Sequence, residues 1–121
     1  MKNMLNRRKQ NEPIQYIVGQ WDFLDHVFQV RSPLLCPRPE TEELVLLIVK
    51  ETTSLSSSAS TLQRVLDVGC GSGCLGIALA YQLPQIHQMT ALDVEPVAIT
   101  TSRANAAAVL GHDEAMKRYT V

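Results

Sequence analysis

Arg64-Val65-Leu66-Asp67-Val68-Gly69-Cys70-Gly71-Ser72-Gly73-Cys74 is the stretch that decides the fold. Its first five residues are short, apolar and rich in β-branched side chains, which predicts a strand. That strand runs straight into glycines at alternate positions, and a helix is expected from Cys74 to about Leu83, stopped by Pro84. Met89-Thr90-Ala91-Leu92 predicts a second strand, ending at Asp93. Pro96 sits at the favoured first-turn position of a further helix, with Val97, Thr101, Ala104 and Ala108 on one face and Gly111 at its C-cap. The order strand, helix, strand, helix requires a right-handed crossover and a parallel sheet. The class is therefore α/β, a parallel sheet with flanking helices.

A sharp strand-to-helix turn with alternating glycines lets backbone approach a ligand closely, and it is expected to aim helix-start amides outward. Asp93 is placed to accept hydrogen bonds from a ribose diol. Together these predict a pocket for an adenosine-containing cofactor. A P-loop would need Lys-Ser or Lys-Thr after the last glycine, and no Lys lies between Lys50 and Lys117, which excludes that reading. A dinucleotide fingerprint is formally present as Gly71-Ser72-Gly73-Cys74-Leu75-Gly76, with Asp93 twenty residues beyond Gly73. Its register is off, because the strand meets Gly69 two residues too early. S-adenosyl-L-methionine fits the alternative pattern acid-x-Gly-x-Gly-x-Gly, here Asp67 to Gly73, better than a nicotinamide cofactor does. It also gives Asp67 a reason, since a carboxylate near the end of a buried strand is costly without a cationic or hydrogen-bonding partner. The cofactor's ammonium would supply one. The cofactor-binding candidates are Asp67, Gly69, Cys70, Gly71, Ser72, Gly73 and Asp93. An empty glycine-rich turn in an unrelated α/β protein is the third reading.

Upstream, Tyr16-Ile17-Val18 and Val27-Phe28-Gln29-Val30 predict a β-hairpin turned by Gly19 to His26, following the end of a helix. Pro33, Pro37 and Pro39 exclude regular structure from Ser32 to Glu40. A helix is expected from about Thr41 to Glu51, with Leu44, Leu47 and Ile48 as its apolar stripe. Thr52 to Thr61 is Ser/Thr-rich and reads as a loop. The 121 residues carry 45% hydrophobic side chains and a net charge of -1, which excludes wholesale disorder. No apolar run is long enough to span a bilayer. Three cysteines cannot all pair within one chain, which points to a reducing compartment. Cys70 and Cys74 are read as small fillers of a tight turn rather than as metal ligands, so no metal site is assigned. Residues 1–38 have six basic and three acidic groups, and residues 39–121 five and nine. Neither imbalance is enough to predict nucleic-acid binding.

Several separate blocks resemble the HemK/PrmC methyltransferases, which modify the glutamine of the Gly-Gly-Gln motif in peptide-chain release factors. Arg7-Arg8, Glu12 to Gly19 and Trp21-Asp22-Phe23 resemble that family's junction between an N-terminal helical domain and a β-hairpin. Pro37-Arg38-Pro39-Glu40-Thr41-Glu42 resembles its Pro-Arg-Pro signature, Leu66 to Gly73 its cofactor loop, and Asn105 the asparagine after its second acidic motif. The Gly-Cys-Gly-Ser-Gly wording and the Ser-rich insert resemble the mitochondrial branch.

The resemblance implies a partial Rossmann-like S-adenosylmethionine-dependent methyltransferase domain, preceded by a β-hairpin. Its divisions would be 1–13 as the end of the helical domain, 14–38 as hairpin and linker, and 39–121 as the first half of the methyltransferase domain. It further implies a release factor as protein substrate, a monomer, and a mitochondrial or cytoplasmic location. An amide nitrogen is a poor nucleophile, and the family orients and stabilises it with an Asn-Pro-Pro-Tyr motif. That motif is absent here: Asn3, Asn6, Asn11 and Asn105 are the only asparagines and none precedes Pro. No catalytic residue is therefore assigned. The chain reads as a fragment or shortened gene product that keeps the cofactor loop, with no methyl transfer of its own expected. Trp21, Phe23 and Phe28 are expected to pack on the main domain, and Arg38 and Glu40 to close the cofactor site.

Overall fold

The computed structural model describes residues 2–54 and 64–121. Helix α1 (Lys2–Lys9) and the short α2 (Ile14–Val18) precede an antiparallel hairpin of β1 (Gln20–Phe23) and β2 (His26–Gln29). Helix α3 (Pro39–Ser54) follows, then β3 (Arg64–Val68), α4 (Cys74–Gln82), β4 (Gln88–Leu92), α5 (Pro96–Leu110), α6 (His112–Arg118) and β5 (Tyr119–Thr120). Strands β3, β4 and β5 form a parallel sheet in that order, with Asp67 beside Ala91 and Met89 beside Tyr119. The expected α/β architecture is present, and β5 adds a third parallel strand.

Several local expectations are corrected. Tyr16-Ile17-Val18 is helical rather than extended. Pro13 precedes that turn and Gly19 (φ +80°) ends it, its N–H donating to the Gln15 carbonyl. Arg7 reaches across from α1 to the Tyr16 and Ile17 carbonyls and pairs with Glu12. The hairpin turn is consequently two residues, Leu24 and Asp25, instead of eight. Leu24 has φ +51°, and its N–H donates to the Glu42 carboxylate at 2.7 Å, a bond that ties the hairpin tip to α3.

Helix α3 begins at Pro39 rather than at Thr41, so regular structure starts two residues inside the stretch expected to exclude it, since proline is well suited to a first helical position; the helix runs to Ser54, beyond the expected Glu51. The rest of the expected Ser/Thr-rich loop lies outside the described residues, apart from Thr52 to Ser54, which are helical. The buried side of α3 is Val45 and Thr52, with Ile48 and Val49 partly covered, while Leu44, Leu46 and Leu47 are exposed. The helix carries apolar residues all round, so two stripes fit its period and packing against α4 selects the second. Helix α5 is rotated likewise: Ala98, Thr101, Ser102, Asn105 and Ala106 face inward.

One face of the sheet is covered by α4 and α5, burying Met89 and Ala91 with Ile77, Leu79 and Ala106. Phe23 and Phe28, stacked edge to face at 5.8 Å, join this core from the hairpin, as expected, whereas Trp21 stays partly exposed. On the other face Leu66, Val68 and Leu92 are exposed. Arg118 closes the far end, donating to the carbonyls of Ala80, Leu83 and Ile86.

Candidate functional site

The glycine loop joins β3 to α4 at the carboxyl end of the sheet. Gly69 and Gly73 have φ of +77° and +80°, a left-handed region where a side chain is strained. They are required for different reasons. A Cβ at Gly73 would lie 2.8 Å from the Ile77 and Tyr119 side chains and 3.0 Å from Ser102. A Cβ at Gly69 would meet nothing within 4 Å, so its open side is available to a ligand.

Four amides of the loop that precedes α4 are turned inward. Those of Gly69 and Cys70 both donate to the Leu92 carbonyl, at 2.7 and 3.0 Å, and that of Gly73 to the Cys70 carbonyl. The Gly71 amide donates to Asp93 Oδ2 at 2.8 Å. Four donors that a phosphate cradle would present to a ligand are thus committed within the protein. A ligand anion finds no free amide at these four positions.

Asp93 organises this end of the sheet. Its Oδ1 accepts the Glu95 N–H at 2.9 Å while Oδ2 holds Gly71. The Glu95 and Gly71 amides pull its pKa below the usual carboxylate range. A carboxylate has about four acceptor positions, so the expected role toward a diol is compatible with both bonds.

Asp67 presents the opposite situation. It is 9% exposed, and Oδ2 has no hydrogen-bond partner among the described residues. Burial pushes its pKa up, the Gly76 backbone N–H opposes this, and the nearby Asp93 charge raises it further. The absent side chain of Gly76 makes room for it, because a Cβ there would sit 2.9 Å from Oδ2. An orphaned buried carboxylate oxygen is the kind of atom that a cationic or hydrogen-bond-donating ligand satisfies.

Asp67, Gly69, Cys70, Gly71 and Ser72 line one cavity of about 200 Å³ together with Leu35, Cys36, Pro37, Arg38 and Thr41. Of the predicted residues, Gly73 and Asp93 lie beside this cavity rather than on its wall, and Glu40 also stands apart from it. Sequence reasoning missed Leu35, Cys36 and Thr41. Their signal was adjacency to the proline block, whose residues 31–38 are irregular and whose end shares the cavity with the loop. A larger hollow, about 490 Å³, lies away from the loop among α5, α6 and β5. All three cysteines are free. Cys70 is buried beneath the loop, and burial pushes its thiol up to about 11, so it stays protonated and unreactive.

A parallel sheet, a glycine turn at its carboxyl edge and an acid ending the second strand define a Rossmann-like cofactor-binding domain. The methyltransferase small domain model matches residues 48–118, and the chain belongs to that family. It is similar to the release factor glutamine methyltransferase of Flavobacterium psychrophilum, with 43% identity over 105 residues, 87% of this chain and 36% of that protein. It is similar to the human MTRF1L release factor glutamine methyltransferase, with 38% identity over 108 residues, 88% of this chain and 32% of that protein. The corresponding protein of Bacteroides thetaiotaomicron is 42% identical over 105 residues, 87% of this chain and 35% of the relative. The chain spans about a third of the length of these relatives. Among the described residues no helix is long and apolar enough to cross a membrane.

Proposed function

We propose that these residues form the S-adenosyl-L-methionine-binding part of a methyltransferase acting on the glutamine side-chain amide of a peptide chain release factor. The observation that carries the reading is Asp67: it lines the cavity bounded by the glycine loop, and its buried Oδ2 has no hydrogen-bond partner among the described residues. Asp67 would receive the ammonium of the cofactor's amino-acid end, and Asp93 the ribose hydroxyls. Gly69, Gly71 and Gly73 hold the bend open, Cys70 and Ser72 wall it, and Arg38 stands at its rim. When bound, the cofactor supplies a methyl group activated on a sulfonium. The similarity to proteins named release factor glutamine methyltransferases supplies the substrate class. Three thiols without partner cysteines suit a reducing compartment, mitochondrial in a eukaryote and cytoplasmic otherwise.

The amide-handling Asn-Pro-Pro-Tyr motif is not among these residues, so methyl transfer is assigned to a protein that carries both parts. That same observation favours a second reading, a module that binds cofactor or partner without chemistry. Labelled methyl transfer from S-adenosylmethionine, by a protein joining this chain to such a motif, decides between them. Label is expected on a release factor and lost when the glutamine of its Gly-Gly-Gln is replaced. Label that survives the replacement rejects the assigned substrate.

A further inference from the structure

Asn105 stands on α5 and only 1% of it is exposed. Its carboxamide joins two segments that are far apart in the chain. The Gln29 N–H donates to Oδ1 at 2.8 Å, and Nδ2 donates back to the Gln29 carbonyl at 3.0 Å. Nδ2 also donates to the Ser72 carbonyl at 2.8 Å. A primary amide has two N–H donors and one acceptor oxygen, so both donors are in use and the oxygen is held. Turning the amide over would set its oxygen against two carbonyls and its N–H against another N–H, which fixes its orientation.

Gln29 ends β2 and Ser72 lies inside the glycine loop, flanked by Gly71 and Gly73. Among the described residues, no other side-chain hydrogen bond joins hairpin residues 20–29 to loop residues 69–74. If the loop shifts the Ser72 carbonyl, Asn105 either follows, taking Gln29 with it, or leaves a buried donor unpaired, which is the costlier course. The hairpin and the loop therefore share one polar hinge.

We propose that Asn105 is a positioning residue that couples the hairpin to the glycine loop, so that filling the loop with an adenosine-containing ligand orders the hairpin. The proposal rests on the cofactor reading above. Linkage makes the effect reciprocal: whatever steadies the hairpin also tightens the ligand.

The test is amide hydrogen exchange of the 121-residue chain with and without S-adenosylhomocysteine, with isothermal titration measuring binding in parallel. In the parent, ligand is expected to slow exchange at Gln29 about five- to tenfold. In Asn105→Ser the ligand still binds, more weakly, and the slowing at Gln29 falls below about twofold, inside the lower bound of a real coupling. Unchanged Gln29 exchange in a parent that binds ligand overturns the coupling, and so does equal slowing in the variant. A purely structural Asn105 would weaken folding without separating binding from hairpin response.

If titration gives no heat, the cofactor reading fails and the coupling is decided without ligand. Asp93→Ala, which releases the Gly71 amide, is then expected to speed Gln29 exchange in the parent background, and an unaltered rate overturns the proposal. This parent-background comparison also decides the matter should Asn105→Ser fail to fold.

Discussion

Substituting the two left-handed loop glycines separately distinguishes what the backbone requires from what packing requires. Gly69 and Gly73 have nearly the same φ, so alanine at either incurs the same left-handed strain, about 1–2 kcal/mol. At Gly73 the new methyl also lies 2.8 Å from Ile77 Cδ1 and Tyr119 OH and 3.0 Å from Ser102 Cβ. The first two belong to side-chain ends and can yield. The third is bonded directly to the α5 backbone and cannot. Overpacking of this kind costs about 1–3 kcal/mol, so Gly73→Ala is expected to lose roughly 2–5 kcal/mol in total and Gly69→Ala only the strain. Urea unfolding followed by Trp21 fluorescence reads both. The difference between the variants, about 1–3 kcal/mol, cancels the common backbone contribution. Equal destabilisation would refute the packing argument. Ligand binding is expected to show a distinct pattern: Gly69→Ala puts its methyl on the open side of the loop and should abolish S-adenosylhomocysteine binding while remaining folded.

Further expectations concern the charged groups. Asp67 has a raised folded pKa, so the native state binds more protons than the unfolded one from about pH 3.8 up to that value, and stability falls as pH rises through this window. Asp67→Asn should flatten that dependence in denaturation curves, hold or raise stability at neutral pH, and weaken S-adenosylhomocysteine binding in titrations. Asp93 acts in the opposite sense: its lowered pKa contributes stability that is present above the unfolded value and lost as pH falls through the folded one. Asp93→Ala is expected to remove that acid limb and to weaken ligand binding. Arg118→Ala leaves three carbonyls without their charged donor and should lower stability in urea by about 1.5–3 kcal/mol, the value of a hydrogen bond to a charged group. A change below about 0.5 kcal/mol, ordinary for a surface substitution, would contradict the capping role.

Much of the site region was legible because short apolar strands, glycine turns and Pro96 punctuate residues 64–111 unambiguously. The βαβ order then follows from general rules. Residues 14–30 were read less well. Tyr-Ile-Val has no periodicity of its own, and its helical turn depends on Pro13, Gly19 and an arginine about ten positions earlier in the chain. Helix α6 was missed because it is short and buries only Ala115. The faces of α3 and α5 were each assigned to a neighbouring stripe, since apolar or small residues surround both helices and tertiary packing makes the choice. The largest omission at the site is the role of Asn105, whose partners are 76 and 33 residues away. The direction of the loop amides is not legible in the sequence either, because only the position of Leu92 and Asp93 at the end of β4 shows where they go.

Amide chemical shifts of the 121-residue chain, titrated in parallel with S-adenosylhomocysteine and with NAD, bear most directly on whether this bend holds a methyl donor. Saturable shifts are expected at Gly69 to Ser72, Cys36 and Asp93 with the first ligand and none with the second. Shifts produced by NAD at those amides, or clustered instead in the hollow between α5 and α6, would contradict that reading.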